Sequence, residues 1–126
     1  MVGLVVVSHS ARAAEGITEV AGEMGGDTHI EPVGGDGQGG FGTVPDDVEA
    51  ALEAADEGDG VVVLVDLGSA VMNAEVAIEM SDVEAVIADA PVLEGTVNAT
   101  VAAASPKATV ESVRESAEDA RDYTKL

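Results

Sequence analysis

The sequence predicts an α/β fold: a single-domain, open, mainly parallel β-sheet with helices on both faces. Three observations lead there. Short valine-rich runs alternate with longer alanine- and glutamate-rich segments, the pattern of repeated βαβ units with right-handed crossovers. Two of the runs are apolar on consecutive residues, so both faces of those strands are buried, as at the centre of a parallel sheet. The 126 residues are one domain's length, with no linker or repeat.

Taken in order, the first strand is Val2 to Val7. Ser10 can cap a helix over about Ala11 to Met24, with Ala14, Ile17, Val20, Ala21 and Met24 on its inner face. Gly25-Gly26 ends it. A weaker strand covers about Thr28 to Val33. Thr43 and Pro45 start a second helix to about Asp56, burying Val48, Ala51, Leu52 and Ala55. The third strand is Gly60 to Val65, and Ser69 starts a helix to about Met80. A fourth strand covers about Val83 to Ala88, and Pro91 opens a helical stretch to about Ala104. Ser105-Pro106 opens the last helix, with Val110, Val113 and Ala117 inward.

Composition narrows the function classes. Twenty-five Asp+Glu against five Lys+Arg give a formal net charge of −20. Nucleic acid is disfavoured as a partner, because phosphate contacts need cations. No Cys is present, which excludes disulfides, thiolate zinc sites and cysteine nucleophiles. No apolar run reaches the roughly 18 residues of a membrane span, and Val2 to Val7 is too short for a signal peptide, so a cytoplasmic protein is expected. Disorder is disfavoured by an apolar fraction of 46% gathered into compact runs. The apolar set is 21 Ala and 21 Val with one Phe, one Tyr and no Trp. Small apolar residues under a dense carboxylate surface suggest a high-salt cytoplasm. At molar salt the Debye length is about 3 Å, and the repulsion is largely screened.

In open α/β sheets ligands bind outside the carboxyl ends of the strands. That rule selects Ser8 to Arg12, Gly34 to Thr43, Asp66 to Ser69, and Asp89 to Gly95. His9 follows a buried strand and precedes a helix N-terminus, where backbone N–H groups favour anions. A neutral imidazole there can act as nucleophile, base or metal ligand, or simply cap the turn. His29, in the weak strand, reads as surface structure. The second loop contains a formal G-x-G-x-x-G at Gly35, Gly37 and Gly40. It follows the second strand, Asp36 would repel a pyrophosphate, and no helix starts at once, so it is no dinucleotide fingerprint. It reads as a mobile flap whose backbone approaches a ligand closely, with Phe41 as its anchor. Asp66 ends an apolar strand, where a carboxylate needs a partner. If strands one and three are neighbours, Asp66 falls beside His9, accepts its Nδ1–H and frees Nε2 to attack. A Ser-His-Asp hydrolase is the rival, but no G-x-S-x-G elbow exists. No metal-ligand spacing is present, so no metal is expected.

Four segments in order resemble the mannose-type EIIA family of the bacterial phosphotransferase system. They are Val7-Ser8-His9-Ser10 with Arg12, the flap ending in Gly42-Thr43, the turn Asp66-Leu67-Gly68-Ser69-Ala70, and Ala90 to Thr96. Together they cover essentially the whole chain. The pattern is most similar to the phosphotransferase subunits of dihydroxyacetone kinases. The resemblance implies an EIIA-like fold over residues 1–126 and a phosphohistidine relay. A phosphoryl group passes from phosphoenolpyruvate through enzyme I and HPr to His9, then to ADP bound on the partner subunit DhaL. The resulting ATP phosphorylates dihydroxyacetone on DhaK. It further implies a homodimer, no bound cofactor beyond the transient phosphohistidine, and HPr-like and enzyme I-like parts on separate proteins. In that setting Asp66 orients His9. Ser10, Thr43, Ser69 and loop N–H groups such as those of Gly42 and Gly68 receive the phosphoryl oxygens, and the Arg12 cation serves the phosphoryl group or a partner protein. The alternatives are an EIIA subunit serving a mannose-type sugar transporter and, from another class, a non-catalytic regulatory domain.

Overall fold

The computed structural model describes Met1–Leu126. Its elements alternate as expected: β1 (Gly3–Ser8), α1 (Ala11–Gly22), β2 (Ile30–Gly34), α2 (Pro45–Ala55), β3 (Val61–Val65), α3 (Gly68–Met80), β4 (Ala85–Ile87), α4 (Val92–Ala103) and α5 (Val110–Glu118). A short 3₁₀ turn, Asp119–Asp122, follows. All strands are parallel and lie in the order β2-β1-β3-β4. The two consecutive apolar runs are thus the two central strands.

Alternate side chains of those strands feed two cores. Val5, Val7, Val61 and Val63 meet α2 and α3 through Val48, Leu52, Ala55, Ala70, Ala74 and Ala77. Leu4, Val62 and Leu64 meet α4 and α5 through Ala99, Ala103, Val113 and Ala117. Helix α1 packs on β1 and β2 beside α4. Helix faces of alanine let backbones approach closely. A Cβ on Gly3 would collide with the Ala55 carbonyl, and one on Gly34 with the Ser8 carbonyl. Neither neighbour is a flexible side chain. Gly34→Ala is therefore expected to cost about 1–3 kcal/mol and lower the melting temperature by several degrees in a thermal scan.

Three sequence expectations are corrected. Val20 and Met24 are not part of the inner face of α1; they are 49% and 59% exposed. Ala14 and Ala21 carry that contact, and at 100° per residue the other two lie about a quarter-turn or more away. The last helix does not begin at Ser105-Pro106. Those residues form a turn, and Thr109 starts α5 through a reciprocal capping box with Ser112. The second helix is capped by Val44, not Thr43, with Pro45 in its first turn.

Only three carboxylates pair with a Lys or Arg: Glu111 with Arg114, Asp89 with Arg121 and Glu94 with Lys125. Most of the negative charge is uncompensated and remains on the surface. Thermal stability is therefore expected to rise from dilute buffer to molar KCl, as the Debye length falls from about 30 Å to about 3 Å. A melting temperature independent of salt would contradict this reading of the charge.

Candidate functional site

Val7 of β1 lies opposite Val65 of β3, so the residues that follow leave the sheet side by side. From there α1 turns to one face and α3 to the other. The crevice at this point of reversal is the place where open α/β sheets present their chemistry.

The geometry there is tight. His9 Nδ1 is 3.0 Å from Asp66 Oδ1. Asp66 Oδ2 accepts the His9 backbone N–H at 3.0 Å and the Ser8 hydroxyl at 2.8 Å. An ionised carboxylate only accepts, so in the neutral ring Nδ1 carries the hydrogen and Nε2 the lone pair. The Ser69 hydroxyl lies 2.7 Å from Nε2 and donates to it. The His9 side chain remains 25% exposed, and Nε2 is the nitrogen turned away from the carboxylate.

Burial pushes the Asp66 carboxyl upward, but the hydrogen bonds from the His9 backbone, the His9 ring and Ser8 outweigh it and hold the acid below the usual aspartate range. The sign follows directly. A group with a depressed folded pKa contributes its stability above its unfolded value, about 3.9, and loses it as pH falls through the lower folded value. The His9–Asp66 contact is therefore expected to persist below pH 4, which ring-nitrogen NMR shifts of His9 would show.

The surrounding loops hold this arrangement. The Gly42 N–H donates to the His9 carbonyl at 3.0 Å, so it anchors the glycine loop to β1's exit. Gly42 has φ +137°, a conformation that favours glycine. Asp36 accepts the N–H groups of Gln38 and Gly40, and these bonds lower its carboxyl pKa. The loop is thus folded around Asp36. Phe41 is not its anchor: the ring is 82% exposed. The Ser10 N–H donates to Ser8 Oγ, and Ser10 Oγ caps α1 by accepting the Ala13 N–H. Thr43 is held by the Asn73 side-chain amide, which reaches both its hydroxyl and its carbonyl. Arg12 pairs with no carboxylate; it lines a cleft of about 640 Å³ with Ser10 and the glycine loop. Gly68 begins α3, whose N-terminus has no side-chain cap, so its first-turn N–H groups are not taken up by a capping side chain.

The structure thus brings His9, Asp66 and Ser69 into direct contact, with Gly68 at the start of the same helix. Gly42, Ser10 and Thr43 are engaged in holding the loops, and Arg12 stands on the flank. Two contributors were missed. Ser8 binds Asp66, and the available signal was a hydroxyl at the end of an otherwise apolar strand. Asn73 secures Thr43, and its signal was an amide one helical turn after Ser69. His29 is the surface residue expected, 2.6 Å from Glu31. No cluster of three or more His, Cys, Asp or Glu is arranged to hold a metal. No helix is long and apolar enough to cross a membrane.

A doubly covered parallel sheet with a carboxylate-held histidine at its reversal point defines a class that sequence comparison specifies. Residues 3–114 match the EIIA-man family, described as the PTS system fructose IIA component, and the chain belongs to that family. Within it, the similarity is to DhaM subunits. It is 41% identical over 93 residues to the phosphoryl donor subunit DhaM of PEP-dependent dihydroxyacetone kinase 1 of Listeria innocua, covering 74% of each chain. It is 36% identical over 116 residues to the phosphotransferase subunit DhaM of Lactococcus lactis, covering 92% of this chain and 93% of the relative. Among solved structures it resembles EF1359, a protein of unknown function, with a TM-score of 0.82, 26% identity, and coverage of 94% of this chain and 93% of that one.

Proposed function

We propose that this chain, as one phosphocarrier domain over residues 1–126, accepts a phosphoryl group on His9 Nε2 from phospho-HPr. It then passes the group to ADP on a DhaL-type subunit for phosphorylation of dihydroxyacetone. The observation that carries this reading is the His9–Asp66 pair, which leaves Nε2 as the lone-pair nitrogen. Similarity to subunits named as phosphoryl donors of dihydroxyacetone kinases supports the acceptor.

The step balances simply. The Nε2 lone pair forms a bond to phosphorus as the N–P bond to the donor's histidine breaks, and the donor nitrogen keeps the bonding pair. Before that, Ser69 must release Nε2 and turn its hydroxyl toward a phosphoryl oxygen. The open first turn of α3 adds N–H donors on the same side. Asp66, already anionic, offsets the positive charge that the ring acquires. Phosphoryl transfer needs positioning and charge stabilisation above all. No cofactor is required beyond the phosphohistidine itself. Such a carrier works in the cytoplasm, and a homodimer is consistent with the same reading.

Incubation with phosphoenolpyruvate, enzyme I and HPr, followed by addition of DhaL–ADP, tests both halves. The expected result is an acid-labile phosphoryl group on His9 that DhaL–ADP discharges. Absence of label would refute the relay. Label that DhaL–ADP cannot remove would refute the acceptor and favour a sugar-transporter subunit.

A further inference from the structure

Three buried residues carry a polar side chain: Ser8, Thr96 and Thr100. A buried hydroxyl needs a partner, and the two threonines find theirs one turn back in their own helix. Thr96 donates to the Val92 carbonyl and Thr100 to the Thr96 carbonyl. Ser8, 1% exposed, is used differently. Its hydroxyl crosses from β1 to the end of β3 and donates to Asp66 Oδ2 at 2.8 Å. Ser8 Oγ in turn accepts the Ser10 N–H at 3.1 Å. A peptide N–H only donates and an ionised carboxylate only accepts, so the hydroxyl hydrogen has one direction, toward Asp66. The Asp66 backbone is held separately, by its N–H to the Val7 carbonyl at 3.1 Å. That bond leaves the carboxylate free to turn about Cβ–Cγ. Ser8 and the His9 N–H pin Oδ2, and Oδ1 is thereby turned to His9 Nδ1 at 3.0 Å.

We propose that Ser8 is a positioning residue of the relay: its hydroxyl fixes the Asp66 carboxylate so that the ring hydrogen stays on Nδ1 through charging and discharge of His9, an inference that rests on the relay reading above. When Nε2 bonds to phosphorus, the ring turns positive and Nδ1–H becomes more acidic. Were Asp66 to take that hydrogen, breaking the N–P bond would expel imidazolate, a poor leaving group. With the hydrogen kept on Nδ1, the bonding pair returns to Nε2 and a neutral imidazole leaves. A weakly basic carboxylate favours the second course. Burial raises the Asp66 carboxyl pKa, and hydrogen bonds from the His9 backbone, the His9 ring and Ser8 outweigh it. Among these partners only the His9 ring titrates, and only Ser8 lies outside the nucleophile's own residue. The Ser10 N–H behind the hydroxyl polarises it further toward Asp66.

Ser8→Ala removes one oxygen and leaves the β1–β3 ladder in place. Carbon-13 titration of the Asp66 carboxyl is expected to move its midpoint up, toward the usual aspartate range. Nitrogen-15 shifts at about pH 8, above the usual imidazole range, are expected to show a larger share of His9 rings with hydrogen on Nε2. Charging by phospho-HPr and discharge to DhaL–ADP are both expected to slow about 10-fold. Ser8→Thr returns the hydroxyl on a residue that suits a strand, and is expected to restore all three. Where a thermal scan shows the threonine variant unfolded, the alanine variant decides alone. Slower transfer in Ser8→Ala with carboxyl midpoint and tautomer ratio unchanged would make Ser8 a strand residue only and overturn the proposal. So would unchanged transfer rates. Unaltered protein that takes no label from phospho-HPr would instead overturn the relay reading, while the two NMR readings, which need no donor, still test the hold of Ser8 on Asp66.

Discussion

His9→Gln should take up no phosphoryl group from phospho-HPr, while folding like the unaltered protein. Glutamine is polar and similar in reach, so the loop keeps a hydrogen-bonding side chain there. What disappears is the lone pair on a ring nitrogen, and no neighbour replaces it. Ser8 is tied to Asp66, Ser10 caps α1, and Thr43 is held by Asn73. Only Ser69 retains a hydroxyl at the site, and with His9 gone it has no base beside it. Acid-labile radiolabel after incubation with phosphoenolpyruvate, enzyme I and HPr is the measurement. Label in the variant at the unaltered rate would move the acceptor off His9.

Asp66→Asn should slow the same labelling by about 10²- to 10⁴-fold, the range between losing a carboxylate that orients a histidine and fixing the wrong tautomer. The reason is a count of acceptors. Asp66 receives three donors: Ser8 Oγ and the His9 backbone N–H on Oδ2, and His9 Nδ1 on Oδ1. Asparagine has one oxygen. If that oxygen faces Ser8 and the His9 backbone, the amide N–H₂ points at Nδ1, which must then be the lone-pair nitrogen. The ring proton moves to Nε2 and blocks attack. If the amide is flipped, two donors lose their acceptor and the loop loosens. Nitrogen-15 NMR of the His9 ring separates these outcomes, since a merely structural defect leaves the tautomer ratio alone. Labelling at the unaltered rate would mean that Asp66 does not orient the nucleophile.

Much of this site was legible in the chain because open parallel sheets bring loop ends together by rule. Two fully apolar runs had to be the central strands. Once they are neighbours, residues one and two positions past their ends must meet, and those are Asp66 and His9. The helices around α2 were legible because valine and leucine recur at helical spacing. What escaped the sequence lies where one residue has two plausible partners. Nothing local to Ser8 showed that its hydroxyl reaches across to the end of β3. Phe41, as the single Phe, suggested an anchor, yet Asp36 and the Gly42 N–H secure the loop without it. Ser105-Pro106 is a good helix opening in local terms. Thr109 won because its capping box with Ser112 satisfies two backbone donors at once.

The make-up of the two cores also bears on how stability varies with temperature. Both are filled by valine, alanine and a few leucines, with no aromatic ring in either. Such side chains uncover less apolar area on unfolding than the Phe- and Leu-rich interiors of ordinary domains. The heat-capacity increment of unfolding scales with that area, and usually amounts to about 12–15 cal/mol/K per residue. A smaller increment here broadens the dome of ΔG against temperature, so that cold weakens this protein less than it weakens most domains of its size.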